Sequence, residues 1–150
     1  MGNRYMCVSK HETDYALIDS GFTNSKFRVQ FHSKINLLEI CITDEVDKEE
    51  MTLFLSQLLN YIEHHKLKAK FLFDFSSKKA KYSIMDLRTF YPKILDIMKT
   101  QKVFQASIIT VTPYGAVLGN ILVQKFTYQY GVKLKLFCTR ESAISWLGIL

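Results

Sequence analysis

The final third of the chain changes periodicity so regularly that it fixes the fold class. Ala106-Ser107-Ile108-Ile109-Thr110-Val111 is a short apolar run rich in β-branched residues, as a buried strand requires. Thr112 and Pro113 follow. A threonine hydroxyl is a good helix N-cap, and the N–H that proline lacks has no intrahelical partner at the first helical position. Val117, Leu118, Ile121, Leu122 and Phe126 then recur at spacings of three and four, and Gly131 supplies the stop. Residues 132–138 form the next predicted strand, and Thr139 caps a short helix running from Arg140 to Leu147.

The same alternation extends upstream. Phe27-Arg28-Val29-Gln30-Phe31 has period two, and His32-Ser33-Lys34 leads into Asn36-Leu37-Leu38-Glu39-Ile40-Cys41-Ile42, which predicts a hairpin. Met51, Phe54, Leu55, Leu58, Leu59 and Ile62 mark one face of a helix. Asp47 and Glu50 form a capping-box pattern at its start, Val46 and Met51 a hydrophobic staple, and His64-His65-Lys66 its basic end. Phe71-Leu72-Phe73-Asp74-Phe75 predicts a strand buried on both faces. Ser83, with Asp86 three residues on, predicts the start of a second helix, and Pro92 inside that helix predicts a kink or restart. A short strand is expected over residues 15–19, and residues 1–14 read as a loosely held arm. The whole is an α/β fold with a mixed, mainly parallel sheet of four to five strands and about four helices, in one domain over 15–150.

Composition narrows the function. At 150 residues and 48% hydrophobic content the chain suffices for one core and is short for two. No apolar run reaches the ~18 residues that span a bilayer, and the N-terminus lacks the apolar core of a signal peptide, so a cytoplasmic protein is expected. Gly2 invites myristoylation, but Met6 stands where that motif has Ser or Thr. Cys7, Cys41 and Cys138 lack ligand spacing, which argues against structural zinc; Cys41 and Cys138 are expected as free thiols within strands. The net charge of +6 is spread along the chain apart from Lys78-Lys79-Ala80-Lys81, and no aromatic platform interleaves with arginine, so nucleic acid is not the expected partner. There is no Gly-rich phosphate loop, and no nucleophile lies near a histidine in a recognisable pattern. Neither cofactor nor metal nor catalytic residue is assigned; an enzyme would require Asp74 or Cys138 to meet a histidine in the fold.

In parallel α/β sheets ligands bind beyond the carboxyl ends of the strands, where helix N-termini converge. The residues expected at that edge are Thr43, Asp74, Ser76, Ser77, Lys78, Ser83, Thr112, Tyr114, Thr139 and Arg140. Their hydroxyls and cations suit an anionic group, although any protein of this topology places caps there, and Asp74 is equally suited to capping the turn after its strand.

Over residues 27–148 this order resembles the SpoIIAA-like fold of STAS domains and of the bacterial STAS/SEC14-type proteins. The likeness is carried by Ser107 to Val111, Leu118-Gly119-Asn120, Leu136-Phe137-Cys138-Thr139 and the ending Ala143-Ile144-Ser145-Trp146-Leu147. The resemblance implies a regulatory module that binds another protein, homodimers included, or a carrier or sensor for a lipid-like or other apolar or anionic small molecule. STAS proteins of the anti-sigma-antagonist type carry a phosphorylated serine in an Asp-Ser-Ser-Gly motif. Here Ser83, within Lys81-Tyr82-Ser83-Ile84, occupies the corresponding place without that Asp and Gly.

Overall fold

The computed structural model describes residues 21–23, 26–76 and 80–149. The expected arm and the strand over 15–19 lie outside them. In chain order the elements are β1 (Gly21–Thr23), β2 (Phe27–His32), β3 (Leu37–Ile42), β4 (Val46–Asp47), α1 (Lys48–His65), β5 (Lys70–Asp74), β6 (Ala80–Lys81), α2 (Leu87–Lys99), β7 (Gln105–Ile109), α3 (Pro113–Tyr130), β8 (Lys133–Phe137) and α4 (Arg140–Leu147). The main sheet has the order β1-β2-β3-β5-β7-β8. β1 and β2 pair antiparallel with their neighbours, whereas β3, β5, β7 and β8 are parallel. The architecture is thus α/β with a mostly parallel mixed sheet, but with six strands rather than four to five. The extra strand is the three-residue β1, too short to show period two. β4 and β6 form a separate parallel pair, also only two residues each.

The predicted caps form as chemistry dictates. Asp47 accepts from the Glu50 amide at 2.8 Å while the Glu50 carboxylate accepts from the Asp47 amide at 3.0 Å. Thr112 accepts from Gly115 N at 3.0 Å, Thr139 from Ser142 N at 3.2 Å, and Gly131 ends α3 with φ 65°. Helix α2 departs from expectation at both marked points. Ser83 and Asp86 do bond reciprocally, but residues 84–86 form a tight turn of i→i−3 bonds and the α-helix begins at Leu87. The helix then runs through Pro92 without a break. The carbonyl that loses its donor belongs to exposed Arg88 in the first turn, where water can serve it.

The sheet is covered on both faces. Met51, Phe54, Leu58 and Ile62 of α1, Phe90 and Ile97 of α2, and Leu118 and Phe126 of α3 pack on the face carrying Leu38, Ile40, Phe71 and Ala106. Helix α4 packs on the opposite face, where Ala143 and Leu147 join Leu37, Leu72 and Ile109 in a smaller cluster. The cysteines differ from expectation. Cys41 is disulfide-bonded, and Cys138 lies just past β8, free and exposed, so neither is a free thiol within a strand. No helix among the described residues is long and apolar enough to cross a membrane.

Candidate functional site

The carboxyl edge expected to form one site is divided by the sheet into two. Side chains alternate across a strand, so Phe73 faces the three-helix core while Asp74 faces the α4 side. Each residue of the edge falls accordingly.

On the three-helix side, Thr112 lines a small cavity of about 40 Å³ with Ile42, Phe75, Tyr82, Thr110 and Gly115. The Tyr114 hydroxyl donates to the carbonyl of Tyr82, one of the lining residues, at 2.9 Å, tying the start of α3 to the segment that crosses from β6 to α2. That segment is further held by the β4–β6 pairing and by Lys81, which bonds Glu45 at 2.9 Å. Ser83 follows directly and is exposed, its hydroxyl occupied as acceptor for Asp86 N at 3.2 Å. Beneath the same residues lies a second cavity of about 80 Å³, walled by Phe54, Phe73, Phe90, Ile94 and Phe126 among other apolar side chains. Phe75, Tyr82, Leu87, Ile108 and Leu122 line both. Tyr82 stands edge-on to Phe90 at 5.1 Å between ring centroids.

Burial, and secondarily the neighbouring Tyr114, pushes the Tyr82 phenol up to about 12. The fold therefore favours the neutral phenol. The stability linked to this is complete below the ordinary phenol value near 10 and is lost as pH rises through 12. The two-unit difference corresponds to about 2 to 3 kcal/mol. Phenolate absorbance is expected to show one tyrosine titrating near 12, absent in Tyr82→Phe, and the variant should lose less stability than the parent between pH 10 and 12.

On the α4 side, Asp74 is buried and accepts from Ser76 N at 3.0 Å and from the Ser76 hydroxyl, the turn cap its position predicts. Arg140 does not stay at the edge. From the first turn of α4 it reaches back across the sheet to Glu39, in the middle of β3, and donates to its carboxylate. The other oxygen of Glu39 lies 3.0 Å from Nε2 of His32. Burial works against the guanidinium charge, but the Glu39 carboxylate, with Asp74 and Glu141, outweighs it and raises the Arg140 pKa. Arg140 is therefore committed to a structural ion pair and is not a free cation awaiting an anion.

Of the remaining expected residues, Thr43 bonds through its amide to the Lys26 carbonyl at 2.7 Å, and Thr139 serves as the α4 cap. Ser77 and Lys78 lie outside the described residues. Among the described residues His32 meets a carboxylate, that of Glu39. No group of three or more metal-ligating side chains occurs among the described residues. Sequence reasoning missed Glu39, His32, Tyr82 and Thr110. Glu39 had a legible signal, a single charge inside the apolar run Leu37 to Ile42, whereas Tyr82 had none beyond its place before a cap. Compared with known proteins, the chain matches no family model, no curated protein and no solved structure.

Proposed function

We propose that the chain is a non-catalytic regulatory module of the SpoIIAA-like, STAS-like type that binds a partner protein through the surface formed by the 83–86 turn and the first turns of α3. The observation that carries this reading is a group of large apolar side chains left in water at that place. Met85 is 68% exposed, Val117 46%, Ile84 45% and Tyr114 43%. The Tyr114–Tyr82 bond brings the two segments together, and Tyr114 and Val117 lie one turn apart on α3. Contiguous apolar exposure of this kind marks interaction surfaces. The succession β3-α1-β5-α2-β7-α3-β8-α4 supports the STAS-like resemblance as four β-α units in order, and the bacterial, cytoplasmic setting is part of the same proposal.

The partner in this reading is a different protein with apolar anchors inside an acidic rim. The formal charge of +6 attracts such a surface and opposes self-association of the module. Phosphorylation of Ser83 would alter the same surface, placing a dianion beside the Asp86 carboxylate that already bonds the Ser83 amide.

The test is affinity capture from the source cells with the full chain, with Met85→Asp, with Val117→Asp, and with Leu53→Asp as an exposed apolar control on α1. The same protein should be enriched by the parent and by Leu53→Asp, and lost about tenfold or more with the two patch variants. Retention by the patch variants, enrichment of nothing, or the chain itself as the one bound species would each overturn the proposal.

A further inference from the structure

The core holds unfilled space where close packing is the rule, and that space is shaped. Protein interiors fill to the density of organic crystals, and voids larger than a water molecule are few. Here an apolar chamber of about 80 Å³ adjoins a vestibule of about 40 Å³ at the carboxyl edge of the sheet. The chamber walls are aliphatic and aromatic, with Tyr82 as the one hydroxyl-bearing residue among them. The vestibule adds the hydroxyls of Thr110 and Thr112. Tyr82 and Phe75 line both spaces and so stand between them.

We infer that chamber and vestibule together form a binding site for a compact, neutral small molecule, apolar except for one hydrogen-bonding group placed toward Tyr82 and the threonine hydroxyls. This inference goes beyond the partner-binding reading and does not rest on it. Size sets the class. An apolar cavity of roughly 150 Å³ takes benzene, so the chamber, at about 80 Å³, takes only a few non-hydrogen atoms and is far too small for a lipid chain. Polarity sets the rest. No charged side chain lines either space, so a buried charge would be heavily penalised there, while a hydroxyl or carbonyl finds partners at the vestibule end. A chamber whose lining is apolar apart from Tyr82 offers water too few partners to hold it, which leaves it open to an apolar occupant.

The probes are isobutanol, which has both the apolar body and the hydroxyl, xenon, which has the body alone, and the similarly sized but charged isobutylammonium. Methyl and amide NMR spectra of the full chain are followed during each titration. Isobutanol and xenon should produce saturable shifts at Ile94, Ile108 and Leu122, and isobutylammonium none. Ile94→Phe fills the chamber from α2 and should abolish both sets of shifts; Leu122→Phe fills it from α3 and serves the same purpose if the first variant does not fold. Tyr82→Phe should weaken isobutanol about five- to tenfold and leave xenon unchanged. The inference fails if neither probe gives saturable shifts, or if the shifts persist in the filled variants. Xenon binding with isobutanol excluded, or isobutylammonium binding as well as isobutanol, would overturn the ligand class. None of these outcomes bears on partner capture, so the two readings fall separately.

Discussion

Replacing Arg140 with methionine is expected to lower the free energy of unfolding by about 2 to 3 kcal/mol, measured by urea denaturation. The reason lies with the partner left behind. Glu39 is 1% exposed in the middle of β3, and its carboxylate is held by Arg140 and His32. Removing one member of a buried pair strands the other, which typically costs about 3 to 5 kcal/mol. The Arg140 side chain is 40% exposed, so the guanidinium is partly hydrated already and the lower figure applies. Methionine keeps the apolar stem that packs beneath the charge. In a double-mutant cycle, Glu39→Gln should recover part of the loss, because the stranded charge is then gone. Hydrogen exchange should accelerate along α4, since Arg140 is its first residue and ties it to Glu39 in the middle of β3, two residues along from Leu37, which joins the cluster of Ala143 and Leu147. A change within about 0.5 kcal/mol would mean that water replaces the guanidinium and that the pair contributes nothing net.

This pair also shows where the sequence stops being legible. Outside α2, where the helix start at Ser83 and the break at Pro92 did not follow, local rules hold where one residue's chemistry acts on its own neighbours in the chain. The Asp47–Glu50 box, the Thr112 and Thr139 caps and the left-handed stop at Gly131 all form as their residue types require. Periodicity located β2, β3, β5, β7 and β8 because each is five or six residues long. It could not find β1, β4 or β6, whose two or three residues carry no period and whose pairing depends on segments brought near by the rest of the fold. The edge was legible as a place and not as a site. Topology put Asp74, Thr112 and Arg140 at the same end of the sheet, but the face each side chain takes depends on strand register, and the reach of Arg140 to Glu39 spans 101 positions of sequence. Cavities are less legible still. They are what remains after sixteen side chains from three helices, three strands and the segments between them have packed, and no single residue announces them.

Phe71→Ala is expected to cost about 3 to 5 kcal/mol and its neighbour Leu72→Ala about 2 to 4 kcal/mol, and the two losses should have different spatial signatures. Both residues are fully buried on β5, a central strand, and they face opposite ways. Phe71 lies in the main core, 5.1 Å from the Phe104 ring and 6.0 Å from that of Phe73, measured between centroids. Deleting its ring removes a large apolar contact and enlarges a region that already holds the 80 Å³ chamber, walled by Phe73 and Phe104. Against a total stability of roughly 5 to 15 kcal/mol, that loss brings the chain close to unfolding. Leu72 instead meets Ala143 and Leu147 of α4 in the smaller cluster. Its truncation should free α4 locally, so that amide protection falls over residues 140–147 well before it falls in α1. Equal loss of protection in α1 and α4 would show that the two faces unfold as one unit; selective loss in α4 would show a second core that opens on its own. The distinction matters for the fold, because α4 is the only helix on its side of the sheet among the described residues, held by Leu37, Leu72 and Ile109 packing on its Ala143 and Leu147, by the Phe137–Trp146 ring contact, by hydrogen bonds from Ser107 and Lys70 to its carbonyls, and by the Arg140–Glu39 pair rather than by neighbouring helices.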